Sequence, residues 1–415
     1  MERKIKESSI FDKFIDKRKT LITNRNFLQS TYIPDQLPHR QNKIDEIVEI
    51  ISPSLSRNKP SNILIIGKTG TGKTAVLNYI GKEMAKADPN EEKCSYIYIN
   101  CEVVTSSYGI LFNISNLIIK ENSKRIPFTG WSLDKVYQEL RNYIDEKNKV
   151  FIIVLDEIDK SFKENGDDIF YFLTTINEEL KNSMVSLIGI SNNTKFTELL
   201  STKIKSRLGE EKIIFTPYTP QQLTDILNER AKIAFEPGIL SSDVVPLCAA
   251  ISAQNSGDAR KALDLLRVAA DIAERNGDSS ISEAHVNYAR NKIEMDTVVE
   301  VVKTLTIQSK IVLMSIYKNM ENDNQNMTTG DVFTTYKEIC PYVGYQILSQ
   351  RTVANLIAEL DMLGLIHAKV KSFGRNGRTK EINLNINKDV IDIFVEDDIF
   401  KNLENYKPSK QMTLM

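Results

Sequence analysis

Eight residues near the start of the chain combine the residue types that hold phosphate groups. Residues 67–74 read GKTGTGKT and fit the pattern G-x-x-x-x-G-K-[ST] between an apolar run and a helical pattern. Glycines let the backbone point successive N–H groups into one concavity, and the following helix adds a positive field. Lys73 would reach the β- and γ-phosphates of a nucleotide, and the Thr74 hydroxyl would bind Mg²⁺. A glycine turn without a ligand is the plainer alternative.

An acidic pair follows a second apolar run, VFIIVLDEID, at residues 150–159. Open α/β sheets bind ligands at the carboxyl ends of their strands, where this pair would lie. Asp156 would complete the magnesium shell, and Glu157 would be the base that polarises the attacking water. Acidic strand ends are common, so this prediction depends on the phosphate pattern upstream.

Three further residues could act on the same phosphates. Asn192 ends the apolar run VSLIGISNN, and its amide could hold the attacking water or the γ-phosphate without adding charge. Arg207 and Arg260 carry permanent charge in a fork that matches phosphate geometry. The plainer alternatives are a turn-forming asparagine and solvated arginines on helix surfaces.

The elements that must position these residues form three patterns along the chain. From about residue 41 to 216, apolar runs alternate with amphipathic helices, which predicts a parallel sheet covered on both faces. Residues 220 to about 295 predict a small helical unit. Residues 300 to about 390 predict three helices closed by a β-hairpin, as in a winged helix.

The predicted winged helix presents two polar sets suited to DNA. A helix from about residue 349 would place four residues in its first turn, where recognition helices contact base edges: Ser349, Gln350, Arg351 and Thr352. The hairpin has no acidic residue between 362 and 380 and carries five basic ones: Lys369, Lys371, Arg375, Arg378 and Lys380. Such a wing would neutralise phosphates or enter a minor groove, whereas a solvated hairpin is the plainer alternative.

Composition limits the possible classes of protein. At 415 residues the chain is longer than a single hydrophobic core usually supports, which predicts two or three domains. The net charge of −1 means that any DNA-binding surface is a local patch. Four scattered cysteines and three histidines fit no metal-ligand spacing. The N-terminus is charged and no apolar run approaches the ~20 residues that span a bilayer, so we expect a cytoplasmic protein with no membrane partner.

Taken in order, these motifs resemble those of AAA+ ATPases. The segments YIPDQLPHR, GEEKIIFTPYTPQQLTDIL and GDARKALDLLR resemble, more narrowly, the archaeal origin-recognition and cell-division-control family of replication initiators, over about residues 30–390. The resemblance implies an α/β AAA+ P-loop core, an α-helical lid and a C-terminal winged-helix domain. It predicts this division of the chain: lead-in 1–30, nucleotide-binding core 31–218, lid 219–298, winged helix 299–395 and polar tail 396–415.

The same resemblance implies a function and a set of site residues. Members mark origins in double-stranded DNA, use ATP or ADP with Mg²⁺, and help recruit the minichromosome-maintenance helicase, in some cases beside paralogues on nucleoid DNA. Catalytic roles would fall to Lys73, Asp156, Glu157, Asn192 and Arg260, the last as the sensor-2 arginine of the lid. Nucleotide contacts would come from Gly70, Thr71, Gly72, Lys73, Thr74, Ala75, His39, Arg40, Tyr218 and Arg230. An insertion between early strands would place Lys124 and Arg125 against DNA.

Some questions stay open at the level of sequence. Lys203 stands where the family often has arginine and Arg207 where it often has serine, so the residue that acts in trans on a neighbouring site is not identified. A clamp-loader-like remodeller would use the C-terminal module to hold a protein, and a transcription regulator would have lost catalysis. The acid-free hairpin favours DNA binding, and the intact Lys73, Asp156 and Glu157 favour ATP hydrolysis, which we expect to be slow.

Overall fold

Five apolar segments form one parallel β-sheet. Its strands are β1 (Ile63–Gly67), β2 (Cys94–Asn100), β3 (Val150–Asp156), β4 (Met184–Ser191) and β5 (Glu211–Phe215). The strand order is β2-β3-β4-β1-β5, and every neighbouring pair is parallel. The parallel sheet predicted from the apolar runs is therefore confirmed.

The computed structural model of the chain describes residues 20–119, 125–322, 327–372, 378–386, 390–391, 399–403 and 406–408. The chain divides into two units between Asn287 and Tyr288. None of the described helices is both long and apolar enough to span a bilayer.

Helices cover both faces of the sheet. They are α1 (Gln41–Ile51), α2 (Lys73–Ala87), α3 (Ser107–Ile118), α4 (Leu133–Glu146), α5 (Ile158–Asn165), α6 (Asp168–Thr175), α7 (Phe196–Leu199) and α8 (Thr202–Leu208). Because side chains alternate along a strand, β3 contributes Ile153 and Leu155 to one core and Ile152 and Val154 to the other. Every residue of β3 is buried, which explains why the strand is apolar up to Asp156 at its carboxyl end.

The order of the strands determines which residues meet. Strand β4 lies between β3 and β1, so the carboxyl ends of these three strands are adjacent at one edge of the sheet. The phosphate pattern begins at Gly67, the last residue of β1. Asp156 ends β3 with Glu157 directly after it, and Asn192 follows β4.

Helices after β5 complete the first unit. They are α9 (Pro220–Ala234), α10 (Val244–Asn255), α11 (Ala259–Asn276) and α12 (Glu283–Thr304), the last of which ends in the second unit. Helix α9 begins with a capping box, because the side chains of Thr219 and Gln222 each accept a hydrogen bond from the other's backbone N–H. Helix α11 ends at Gly277, whose φ of 80° suits a left-handed C-cap.

An N-terminal segment packs on α11. The backbone N–H groups of Leu21 and Ile22 donate to Glu274 Oε1 over 2.8 and 3.0 Å, and Arg25 pairs with Asp271 and Glu274. The chain from residue 20 onward is therefore tied to the helical unit before it reaches the sheet.

The second unit has the winged-helix topology. Its elements are α13 (Ile307–Glu321), β6 (Met327–Thr328), α14 (Thr329–Tyr342), α15 (Gln350–Met362), β7 (Ile366–Ser372) and β8 (Arg378–Leu384). The three strands form an antiparallel sheet in the order β6-β8-β7. The predicted helix and hairpin are confirmed, whereas the two-residue strand β6 was not foreseen.

Candidate nucleotide site

The turn between β1 and α2 needs glycine for two reasons. Gly70 and Gly72 have φ of 69° and 89°, a region that favours glycine. A Cβ on Gly72 would lie 2.6 Å from the Tyr218 hydroxyl, so space also excludes a side chain there. The loop is thus held in one shape between the sheet and the segment that follows β5.

Lys73 is buried at the start of α2, and its hydrogen-bond partners among the described residues are neutral. Its Nζ donates to Gly67 O, Lys68 O and Asn192 Oδ1, each over 2.7 Å. Burial lowers the pKa of Lys73 to about 8; Asp156 acts in the opposite direction, and Arg260 lowers this pKa further. An arriving phosphate would give this ammonium a charged partner that the three oxygens do not supply.

Asp156, at the end of β3, accepts three hydrogen bonds. Its Oδ2 accepts from Thr74 Oγ1 and from the Tyr98 hydroxyl, both over 2.6 Å. Its Oδ1 accepts from the Glu157 N–H over 2.8 Å. Two hard oxygens, from Thr74 and Asp156, therefore lie side by side at the phosphate loop, residues 67–74.

Tyr98 is a site residue that the sequence did not reveal. It lies on β2, where the run SYIYIN indicated only a strand, and burial together with Asp156 raises the pKa of its hydroxyl. Its contact with Asp156 follows from the pairing of β2 with β3, which places Asn100 beside Asp156.

Glu157 lies next to this cluster in an unusual backbone conformation. Its φ is 56°, in the left-handed region, and it is the N-cap residue of α5. Burial raises the pKa of its carboxyl, and the neighbouring Glu102 and Asp156 raise it further. A carboxylate in such surroundings has an increased affinity for protons, as a general base requires.

Asn192 is oriented by an acidic residue that was also missed. Asp159 Oδ1 accepts from Ser191 Oγ over 2.9 Å and from the Asn192 N–H over 3.3 Å. This pair of bonds connects α5 to the end of β4 and holds the backbone of Asn192, whose side-chain Oδ1 accepts from Lys73 Nζ. The third acid in VLDEID could have signalled a role, but its partner is on another strand.

A cavity of about 400 Å³ lies between the phosphate loop and the helical unit. Its described lining includes residues from the N-terminal segment, the loop, and helices α9 and α11: Ser30, Thr31, Tyr32, Ile33, Pro34, Leu37, Pro38, Gly70, Gly72, Thr74, Ala75, Asn78, Tyr218, Ile226, Glu229, Arg230, Ala259, Arg260 and Leu263. Several predicted contact residues, including Ala75, Tyr218, Arg230 and Arg260, therefore face one space.

Arg230, on α9, is nearly enclosed in this cavity wall. Its Nη2 donates to Tyr32 O over 3.1 Å, and its guanidinium lies 4.6 Å from the centre of the Tyr32 ring. Burial lowers the pKa of Arg230, and its buried Nη1 has no hydrogen-bond partner among the described residues. Tyr32 was not predicted as a site residue.

His39 and Arg40 lie beside the cavity rather than in its described lining. Arg40 donates from Nε to Thr71 O over 2.9 Å and from Nη2 to Thr216 O over 2.8 Å, and stacks 3.8 Å from the centre of the Tyr218 ring. His39 Nε2 is 2.8 Å from Asp225 Oδ2 on α9. In these positions Arg40 supports the phosphate loop, and His39 connects the segment before α1 to α9.

The two candidates for a residue acting in trans differ in their surroundings. Arg207 pairs with Glu178 over 2.7 Å, whereas Lys203 is exposed and its Nζ lies 4.7 Å from the centre of the Tyr171 ring. Arg207 is thus already neutralised within its own chain.

The predicted DNA-contacting residues of the second unit lie on α15 and the hairpin. Ser349, Gln350, Arg351 and Thr352 are all exposed, and Ser349 caps the helix by accepting from the Thr352 N–H over 3.2 Å. Lys369 is exposed, opposite Glu381 in the strand register, and Lys380 is half-buried.

Other predicted contacts are only partly described. Lys371 and Arg378 are on the paired strands, where their backbone positions are described. Arg125 is exposed, and the predictions for Lys124 and Arg375 fall outside the described residues.

Three family models match successive parts of the chain. The model of the ATPase family associated with various cellular activities (AAA) covers residues 63–217. The Cdc6 AAA+ ATPase-type lid domain covers 224–291, and the CDC6 C-terminal winged helix domain covers 300–392.

Individual proteins match over nearly the whole length. The ORC1-type DNA replication protein of Pyrococcus furiosus is 48% identical over 386 residues, which are 93% of this chain and 92% of that protein. The ORC1-type DNA replication protein 1 of Methanosarcina mazei is 46% identical over 404 residues, 96% of each chain. Among solved structures, that of the Aeropyrum pernix ORC1 protein in complex with DNA has a TM-score of 0.76 and 40% identity, and covers 92% of this chain and 99% of that one. With its phosphate loop, lid and winged helix, this chain belongs to the ORC1-type DNA replication proteins, a family of AAA+ ATPases.

Proposed function

We propose that this chain is an origin-binding replication initiator that uses its adenine nucleotide as a switch. It would mark origins in duplex DNA and help recruit or load the minichromosome-maintenance helicase, in some cases beside initiator paralogues. The observation that carries this proposal is the cavity wall, in which Gly72 of the phosphate loop and Arg260 of α11 line the same space. One nucleotide would therefore contact both the sheet and the helical unit, and its γ-phosphate could change how they are held.

The residues around Asp156 fit a magnesium ion held mainly by nucleotide. Thr74 Oγ1 and Asp156 Oδ2 are hard oxygens 2.6 Å apart, and Mg²⁺ in phosphate sites takes few protein ligands besides phosphates and water. When bound, the ion would neutralise charge on the phosphates.

The protein side chains have separate roles in hydrolysis. Lys73 and Arg260 would balance the charge of the γ-phosphate from two sides, and Asn192 would orient the attacking water. Glu157 would accept the proton of that water. The turnover would be slow, because a switch must keep its nucleotide long enough to be read.

The exposed first turn of α15 supports DNA reading by the second unit. Ser349 uses its side chain as a helix cap, so we assign base contacts first to Gln350 and Arg351. The hairpin lysines would contact phosphates. The relative with 40% identity was solved in complex with DNA, which favours DNA as the ligand.

A footprinting experiment tests this function. The full chain, loaded with ATP or with ADP, is incubated with DNA from its own genome at several salt concentrations. We expect protection at discrete repeats with ATP, and loss of the nucleotide dependence in Lys73→Ala. Uniform weak protection would contradict the origin-binding role, and binding that does not depend on salt would favour a remodeller that holds a protein.

A further inference from the structure

The first turn of α11 lies directly on the phosphate loop. The Ala259 N–H donates to the carbonyl of Gly70 over 3.2 Å. Asp258, which precedes the helix, is 4% exposed. A Cβ added to Gly70 would lie 1.6 Å from Asp258 Oδ1, so the carboxylate packs against the Cα of Gly70 and fills the space of a side chain there. The contact joins the loop to the helical unit within the first unit of the chain.

The same carboxylate organises the beginning of α11. Asp258 Oδ1 accepts from the N–H of Arg260 over 2.8 Å and of Lys261 over 3.4 Å. With the bond to Gly70, the first three N–H groups of α11 have acceptors. These backbone N–H groups are therefore not free to bind a phosphate, as they would be at an uncapped helix N-terminus. The group that the helix can present to a phosphate is the side chain of Arg260.

The turn before Asp258 is held from its other side. Gly257 has φ of 64°, and its carbonyl accepts from the Tyr218 N–H over 3.1 Å. A Cβ on Gly257 would lie 2.7 Å from Tyr218 O. Asp258 is thus enclosed between the segment after β5 and the phosphate loop, with little freedom to move independently of either.

We propose that Asp258 is a positioning residue that couples the shape of the phosphate loop to the placement of Arg260 over the γ-phosphate side of the cavity. The inference depends on the nucleotide-switch function proposed above. A loop that closes around a triphosphate holds Asp258, and with it α11, in the register that directs Arg260 into the site. Loss of this contact reduces the preference for ATP over ADP, since Arg260 distinguishes the two.

Two substitutions separate positioning from capping. Asp258→Ser keeps a good helix cap but is too short to press on Gly70, whereas Asp258→Asn keeps both the cap and the shape. Affinities for ADP and a non-hydrolysable ATP analogue are measured on the full chain by displacement of a fluorescent nucleotide. The measured quantity is the affinity for the ATP analogue divided by the affinity for ADP. We expect this ratio to fall on the order of tenfold in Asp258→Ser and to stay near the wild-type value in Asp258→Asn.

A double-mutant cycle tests the route through Arg260. If Asp258 acts through this arginine, Asp258→Ser causes no further change of the ratio in an Arg260→Ala background. Thr306→Ala, which removes a similar cap from α13 in the second unit, serves as the control and should lower thermal stability without changing the ratio.

The outcomes distinguish this inference from the proposed function. If the wild type binds neither nucleotide, the switch function fails and the inference with it. If the wild type prefers ATP and Asp258→Ser keeps that preference, only the inference is overturned. Equal weakening of both nucleotides in Asp258→Ser, or equal wild-type affinity for the two, would also overturn it.

Discussion

Asn192 Oδ1 accepts a hydrogen bond of 2.7 Å from Nζ of Lys73, across the edge where β4 lies beside β1. Asp159 holds the backbone of Asn192, so the amide cannot follow Lys73 freely. When Lys73 donates to a γ-phosphate instead of to Asn192, the Asn192 amide becomes available to bind the phosphate or the attacking water. The pair therefore connects the phosphate loop to the end of β4 through one bond that nucleotide can exchange.

Replacing Asn192 should affect turnover more than binding. Asn192→Ala removes a group that orients water or phosphate in the transition state, whereas Lys73 keeps its two carbonyl partners. We expect ATP turnover to fall on the order of tenfold or more, with ADP affinity changed much less. Steady-state hydrolysis and ADP titration check this. Asn193→Ala, at the next position, is the control and should leave turnover near wild type.

Nucleotide binding should weaken as the pH rises above 8. Burial lowers the pKa of Lys73 to about 8, and a bound phosphate favours the protonated amine, so binding takes up a proton at pH values above 8. Affinity should then fall by up to about tenfold per pH unit. Calorimetry at pH 7 and 9 in buffers of different ionisation enthalpy measures the uptake. Binding without proton uptake at pH 9 would contradict the shifted pKa.

The lowered pKa of Lys73 should also make the stability of the fold depend on pH. Because the pKa of Lys73 is lower in the folded protein than its usual value of 10.5, the unfolded chain binds more protons between about pH 8 and 10.5. The contribution of Lys73 to the free energy of unfolding should rise with pH across this window. Lys73→Met removes the contribution, and comparing urea unfolding of both proteins at pH 7.5 and 10 checks the sign.

Glu157→Gln should separate hydrolysis from binding. The substitution keeps the shape of a residue in the left-handed region but cannot accept the proton of water. ATP turnover should drop about 10²-fold or more, while the affinity for ATP stays near that of the wild type. Single-turnover hydrolysis and nucleotide titration provide the two readouts. Equal turnover in the two proteins would remove Glu157 from the mechanism.

Tyr98→Phe should raise the magnesium requirement. The tyrosine hydroxyl donates to Asp156 Oδ2, the same oxygen that faces Thr74, so its loss frees the carboxylate to rotate. We expect nucleotide binding to need about tenfold more Mg²⁺ for its half-maximal enhancement. Tyr96→Phe is a matched control on the same strand, because the Tyr96 hydroxyl donates to Leu77 O instead. An equal magnesium requirement in both variants would contradict the role of Tyr98.

Two substitutions in the second unit should affect DNA binding in different ways. Arg351→Ala removes an exposed side chain from the first turn of α15 and should cost about 1–3 kcal/mol for the preferred site only. Lys369→Ala should weaken binding to all duplexes and reduce the salt slope by about one. Anisotropy titrations over a range of salt concentrations check both.

A charge-matched control accompanies the DNA titrations. Lys303→Ala removes an exposed cation at the end of α12, outside the predicted contact surfaces. It should leave both the affinity and the salt slope unchanged. If Lys303→Ala and Lys369→Ala had equal effects, the hairpin would have no special role.

The sequence predicted a helix, strand or loop correctly where the residues that determine it are close together along the chain. The strand β3 is apolar from Val150 to Leu155 because both of its faces are buried, and this is visible in the run VFIIVL. Lys73 and Thr74 belong to one contiguous loop motif, so their relation to a phosphate needs no tertiary information. Strand β6 was missed because two residues carry no readable period.

The sequence by itself determined the sheet, the helical unit, the winged helix and the identity of the phosphate loop, because each is written in residues close together along the chain. Only the tertiary structure decided that Tyr98 holds Asp156, that Asp159 orients Asn192, and that Asp258 packs on Gly70. These contacts depend on the order of the strands and on the packing of α11 against the loop. Residues far apart along the chain meet there, and no spacing within a short stretch of sequence encodes which of them will be neighbours.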